Sequence, residues 1–258
     1  MESLQALIFD VDGTLADTER DGHRIAFNAA FTAAGLPWHW DAASYGELLA
    51  VTGGKERIRH FCEKHVPEFL EHDDADERIK ALHAAKTKHY LELVGKGGIP
   101  LQPGVARLIR QARAAGLRLA IATTTTPENV TSLLEASLAP DAIGWFEVIG
   151  AGDVVPKKKP APDIYLWVLE KMGLPASACL AFEDSANGLK AALAAGLPTI
   201  VTESEYTLDH DFTGALVVLS DLGEPDKPCA VRRGDMHGKS HVDIDLLRRW
   251  HRDYISKA

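Results

Sequence analysis

Six short apolar runs without internal periodicity punctuate the chain: Ala6–Phe9, Leu117–Ala122, Phe146–Ile149, Cys179–Phe182, Thr199–Val201 and Ala215–Leu219. Runs this short and uniformly apolar suit strands covered on both faces, as in a parallel sheet. Between them lie stripes at helical spacing: Val105, Leu108, Ile109 and Ala112, then Ile164, Val168, Leu169 and Met172, then Leu189, Ala192 and Leu193. A glycine follows each stripe (Gly116, Gly173, Gly196), the usual stop signal, because glycine accepts a left-handed backbone cheaply. Strand, helix, strand repetition predicts an α/β fold with right-handed crossovers.

Residues from about 18 to 95 break this rhythm. They lack strand-like runs and carry helical stripes instead, Ile25, Phe31 and Ala34, then Ile79, Leu82, Lys86 and Tyr90. Gly95–Lys96–Gly97–Gly98 and Pro100 supply a return hinge. The chain therefore reads as a discontinuous core, residues 1–17 and 96–258, interrupted by a helical cap, residues 18–95. Its 258 residues fit that division, since about 150 residues per domain is the prior. The tail, residues 223–258, has no assigned role. Its Ile244, Leu247, Trp250 and Tyr254 predict a terminal helix packed on the core, and Cys229, His237 and His241 lack the further ligand that a metal cluster needs.

Charge and cysteine content narrow the partners. Lys and Arg number 28 against 37 Asp and Glu, a net charge of −9 that argues against nucleic acid or an anionic membrane surface. Three cysteines (Cys62, Cys179, Cys229) without close pairing fit a reducing cytoplasm. The longest uncharged stretch, Ala191–Thr202, is too short to span a bilayer. A cytoplasmic protein with a small-molecule partner is expected. Its oligomeric state is unspecified, with a monomer slightly favoured.

Polar groups collect where the apolar runs end. Asp10-Val11-Asp12-Gly13-Thr14 follows the first run, and Thr123-Thr124-Thr125-Thr126 the second. Lys157-Lys158-Lys159-Pro160 follows the third, and Glu183-Asp184-Ser185 the fourth. Ligands of open α/β sheets bind beyond the carboxyl ends of the strands. Two carboxylates two residues apart on that edge are costly without a cation. An oxygen nucleophile, Mg²⁺ and fixed donors are the parts that phosphoryl transfer requires.

These four segments resemble the motifs of the haloacid dehalogenase-like superfamily, in its phosphatase and phosphomutase branch. The resemblance runs to about Leu219 and implies a Rossmann-like parallel sheet core with an inserted helical cap. It implies Asp10 as a nucleophile forming an aspartyl-phosphate and Asp12 as general acid and base. Thr123 and Lys159 would stabilise the phosphoryl group. Mg²⁺ would be held by Asp10, Asp184 and the backbone carbonyl of Asp12, with Glu183 behind. A dry closed site is expected to raise the pKa of Asp12, while Mg²⁺ and Lys159 keep Asp10 ionised. The resemblance implies phosphoryl transfer rather than dehalogenation, since the dehalogenase branch has no acid at the position of Asp12.

Thr52-Gly53-Gly54-Lys55-Glu56-Arg57 sets bare amides and two cations before a helical stripe, a pattern suited to a phosphate. Together with Thr18-Glu19, His23-Arg24, Tyr45, His83 with Lys86-Thr87, Thr123–Thr125 and Lys158–Tyr165, it resembles the CbbY-type xylulose-1,5-bisphosphate phosphatases. That resemblance implies hydrolysis of an inhibitor of Rubisco to xylulose 5-phosphate, chemistry tied to the Calvin cycle. Glu19 and His23 would contact the sugar. Gly53, Gly54, Lys55, Arg57, His83 and Lys86 would bind the phosphate that stays, with Thr124 and Thr125 completing the site. Lys55, Arg57, Lys86 and the Lys157–Lys159 run would face one cleft. One residue more than the family pattern lies between Glu19 and His23. Alternatives are a β-phosphoglucomutase-type phosphomutase and a phosphoglycolate-type monophosphate phosphatase.

Overall fold

The structure, a computed structural model, describes residues 3–97 and 99–256, so Gly98 of the return hinge lies outside the described residues. Seven strands form one sheet in the order β3-β2-β1-β4-β5-β6-β7. They are β1 (Ala6–Phe9), β2 (Arg118–Ala122), β3 (Val148–Gly150), β4 (Cys179–Glu183), β5 (Thr199–Thr202), β6 (Val217–Leu219) and β7 (Val231–Arg233). The first six are parallel, and each arises from one of the six apolar runs. The seventh pairs antiparallel with β6 and was not foreseen. Its three residues are exposed, so no apolar run marks it.

The central strands alternate between two apolar layers. Leu7, Phe9, Leu119, Ile121, Leu180 and Phe182 face one cluster. Ala6, Ile8, Ala120, Ala122, Cys179 and Ala181 face the other. On the first face pack α5 (Val105–Ala114), α6 (Pro127–Ser137) and the terminal α9 (Ile244–Ile255). On the second pack α7 (Asp163–Met172) and α8 (Ala186–Ala194). Small strand residues on that second face let these helices approach closely, as an interior at crystal-like density requires. The three glycines expected to close α5, α7 and α8 all take positive φ.

Among the described residues no strand of the sheet lies between β1 and α5; the span carries α1 (Arg24–Ala33), α2 (Ala42–Leu48), α3 (Gly54–His65) and α4 (Ala75–Gly95). They share an apolar cluster of their own, rich in aromatics: Phe27, Phe31, Trp38, Trp40, Tyr45 and Phe69. The α4 stripe of Ile79, Leu82, Lys86 and Tyr90 is buried as expected. The α1 stripe is corrected, because Ile25 and Ala34 are exposed and Ala26, Phe27, Ala30 and Phe31 face inward. Farther along α4, Tyr90 and Val94 enter the sheet-side cluster and tie the inserted helices to the core.

The tail belongs to the core. Leu246, Leu247 and Trp250 of α9 are buried in the sheet-side cluster. Glu224 caps α5 by accepting from the Gly104 N–H (3.0 Å) and from Arg107 Nε (2.8 Å). All three cysteines are free. No helix among the described residues is long and apolar enough to cross a membrane.

Candidate active site

The carboxyl ends of β1, β2 and β4 place three motifs at one edge of the sheet, and the loop after β3 brings Lys159 to them. Asp10 leaves β1 with its N–H donated to Phe182 O (3.0 Å), which sets it beside the end of β4. There Asp10, Glu183 and Asp184 are buried, and a carboxylate oxygen from each lies within 4.8 Å of the others. Lys159 Nζ is 2.6 Å from Asp10 Oδ1, 2.6 Å from Glu183 Oε1 and 2.8 Å from Ala122 O. One ammonium thus serves a cluster of three carboxylates.

The electrostatics show the imbalance. Burial pushes Asp10 up to about 8, and Glu183 and Asp12 add to the rise, while Lys159 opposes it. Asp184 is raised well above its ordinary range, by burial first and then by Asp10 and Glu183. Glu183 Oε2 is buried with no hydrogen-bond partner among the described residues. An orphaned carboxylate oxygen beside two carboxyls that resist ionisation suits a hard divalent cation with oxygen ligands. Two glycines make the cluster possible. A Cβ on Gly13 (φ +87°) would sit 2.1 Å from Asp184 Oδ2, and one on Gly188 would sit 1.8 Å from Glu183 Oε2.

Asp12 points elsewhere. Its Oδ1 receives a hydrogen bond from Thr18 Oγ1 (2.5 Å) and lies 2.9 Å from His23 Nε2. Burial would raise this carboxyl, but His23, the Thr18 hydroxyl and Lys86 together hold it below the usual carboxylate range. The expected upward shift of Asp12 is therefore corrected. Its neighbours supply positive charge and donors that favour the carboxylate, and these outweigh the burial.

His23 reaches Asp12 through an unusual turn. Glu19–His23 form a π-helical turn, which carries one residue more per hydrogen-bonded ring than an α-turn. Both side chains face the site from this turn. Glu19 accepts from Tyr45 Oη and lies 3.5 Å from Arg57 Nη1, which also donates to Tyr45 Oη at 2.7 Å. Lys86 Nζ lies 2.9 Å from His23 Nδ1, and burial lowers this ammonium to about 8.

Two adjoining cavities result. One, of about 240 Å³, is lined by Asp10, Lys159, Glu183 and Asp184. The other, of about 150 Å³, is lined by His23, Gly53, Gly54, Lys55, His83, Lys86, Thr125 and Lys158. Asp12, Glu19, Arg57 and Thr124 line both. Thr123 lines neither; it is buried at the end of β2, where its hydroxyl accepts the Thr125 N–H at 3.2 Å. Lys157 is exposed and lines neither cavity, so the basic run contributes Lys158 and Lys159 only.

Several neighbours went unread in the sequence. Ser204 Oγ donates to Asp184 Oδ2 (3.1 Å), and Tyr165 Oη donates to Glu183 Oε1. Tyr206 packs its ring 6.0 Å from that of Tyr45. Ser204 and Tyr206 stand in a polar loop after β5 with no motif to mark them. Tyr165 falls on an otherwise ordinary helix face.

Residues 4–196 match the haloacid dehalogenase-like hydrolase family. The chain belongs to that family. It is 52% identical to the plasmid-encoded Protein CbbY of Cupriavidus necator over 257 residues, 99% of this chain and 100% of that one. It is 54% identical to Protein CbbY of Rhodobacter capsulatus over 219 residues, 85% of this chain and 94% of that one. CbbY of Rhodobacter sphaeroides, crystallised as a mutant in complex with xylulose-1,5-bisphosphate, is similar in structure. Its TM-score is 0.77 at 44% identity, over 84% of this chain and 94% of that one. The match to the C. necator protein runs through the tail, so this hydrolase shares its long C-terminal extension with at least one relative.

Proposed function

We propose that this hydrolase removes the 1-phosphate of xylulose-1,5-bisphosphate, with Mg²⁺ at the carboxylate cluster and residues 18–95 acting as a cap that binds the phosphate left behind. The observation that carries the reading is the pair of adjoining cavities, one built for a metal-assisted phosphoryl group and one lined by cations and bare backbone amides. A single bisphosphate spans both. The likeness to a CbbY crystallised with that sugar supports the same reading.

Asp10 Oδ attacks phosphorus, the ester bond breaks, and the leaving alcohol takes a proton from Asp12. Water then attacks the aspartyl-phosphate, giving its proton to Asp12 and releasing phosphate from Asp10. His23 and Thr18 favour the Asp12 carboxylate, the base of the second half, and the proton it takes from water there is the one the leaving alcohol of the next turnover receives. Lys159 offsets charge at Asp10 throughout. Asp10, Asp184 and the Asp12 carbonyl would hold Mg²⁺, with Glu183 beside them. When bound, the ion supplies Lewis-acid polarisation of the phosphoryl oxygens. Thr124 borders the phosphoryl position, with Thr123 buried behind it at the end of β2, and Glu19 and His23 border the sugar. Gly53, Gly54, Lys55, Arg57, His83 and Lys86 line the place of the second phosphate, beside Thr125.

Phosphate release counted against sugar consumed tests the reaction type. One equivalent of phosphate with xylulose 5-phosphate as the sugar product supports a phosphatase. An isomerised sugar phosphate without free phosphate would establish a mutase instead.

A further inference from the structure

The second cavity carries an acidic residue at its mouth that the proposed reaction does not use. Asp153 stands in the loop after β3. Its Oδ2 lies 2.5 Å from Lys55 Nζ at the start of α3, and its Oδ1 lies 3.0 Å from Lys158 Nζ. Lys158 continues to Glu56 Oε1 at 3.4 Å. Signs alternate along Lys55, Asp153, Lys158 and Glu56, and two of these three pairs join the inserted helices to the core.

Exposure differs sharply along this row. The Asp153 side chain is 62% exposed, whereas Lys158 is 15% and Lys55 35% exposed. The carboxylate is therefore the partner that can leave for water while the ammonium groups stay at the cavity. Beside Lys55 the cavity offers an anion the Gly53–Gly54 backbone, His83 and Lys86, while the carboxylates of Asp12, Glu19 and Glu128 also line it. A phosphate dianion presents the same kind of oxygen to Lys55 with twice the charge, so it displaces a carboxylate from that ammonium.

We propose that Asp153 is a built-in competitor for the cations that grip the substrate's second phosphate, pairing with Lys55 and Lys158 between turnovers and reclaiming them as the phosphorylated product leaves. This deepens the sugar-bisphosphate reading and rests on it. Asp153 tempers affinity for any ligand with a phosphate at that end, substrate and product alike. A retained product is the specific hazard for an enzyme whose product keeps the gripped phosphate.

The test is Asp153→Asn, which removes the charge at nearly constant shape. An exposed ion pair contributes at most about 1 kcal/mol, about fivefold in binding. The KM for xylulose-1,5-bisphosphate and the inhibition constant of xylulose 5-phosphate should both fall, by about three- to fivefold at low salt. The gain should shrink as salt screens the lysines and vanish in the Asp153→Asn/Lys55→Ala double variant. A merely structural Asp153 would raise both constants on substitution. Unchanged or raised constants, or a gain that survives the loss of Lys55, would overturn the proposal. A wild-type enzyme that hydrolyses the bisphosphate no better than a small phosphate ester overturns the parent reading as well, and that failure is visible before any variant is made.

Discussion

Nε2 of His23, on the inserted helices, lies 2.9 Å from Oδ1 of Asp12, on the core. Lys86 Nζ approaches the other ring nitrogen at 2.9 Å. An ammonium can only donate, so Nδ1 accepts and Nε2 carries the hydrogen that Asp12 receives. The inserted segment thereby sets the ionisation of the proposed acid and base.

His23→Ala removes that donor and leaves burial less opposed, so the Asp12 carboxyl should rise from its low value. The acid limb of the kcat profile should move to higher pH. With Asp12 no longer fixed, kcat should fall by about a hundredfold, the lower range for a positioned proton-transfer group. A pH series of kcat for wild type and variant checks both; an unmoved acid limb would separate His23 from Asp12.

Asp10→Asn should abolish turnover yet stabilise the protein in metal-free buffer at neutral pH. The folded value of Asp10, about 8, lies above its unfolded value of 3.8. Between those values the folded chain holds more protons than the unfolded one, so stability falls as pH rises through that window. Asparagine removes that penalty. Thermal melts at about pH 7, without and with Mg²⁺, should show a higher Tm for the variant that narrows or reverses when the ion is added.

Gly188→Ala pits helix propensity against geometry. Alanine is favoured by up to about 1 kcal/mol within a helix, but its Cβ would fall 1.8 Å from Glu183 Oε2. Overpacking of this kind costs about 1–3 kcal/mol, so the Tm should drop. Half-maximal activity should also need more Mg²⁺. Chemical denaturation together with a Mg²⁺ titration of activity measures both effects.

Trp250→Ala tests the tail. Trp250 is 6% exposed within the sheet-side cluster and lines neither cavity. Truncating a buried tryptophan costs about 3–5 kcal/mol. Denaturant midpoints should fall accordingly, while KM at a temperature where the variant stays folded should not change.

The six parallel strands were legible because a strand buried on both faces must be apolar throughout, and Ala6–Phe9 and Cys179–Phe182 are. The antiparallel β7 was not, since Val231–Arg233 is exposed and held by backbone pairing and by polar contacts of Arg232 with Glu203 and of Arg233 with the Phe212 carbonyl. Strand-end chemistry was equally plain, because Asp10, Lys159 and Asp184 sit where chain direction delivers them. The phase of α1 is hidden in the sequence because the large Ile25 faces water while the small Ala26 and Ala30 are buried. The downward shift of Asp12 depends on His23 and Lys86 meeting in space, 63 residues apart in sequence. The ion pair of Lys55 with Asp153 spans 98 residues and has no sequence signature.

The central claim is that the cationic cavity selects a second phosphate. Its most direct test is kcat/KM, in Mg²⁺ buffer, for xylulose-1,5-bisphosphate, ribulose-1,5-bisphosphate, xylulose 5-phosphate and phosphoglycolate. Xylulose-1,5-bisphosphate should exceed phosphoglycolate by at least about tenfold, as one lost charge-assisted contact of about 1.5–3 kcal/mol requires. Equal or higher kcat/KM for phosphoglycolate would contradict it.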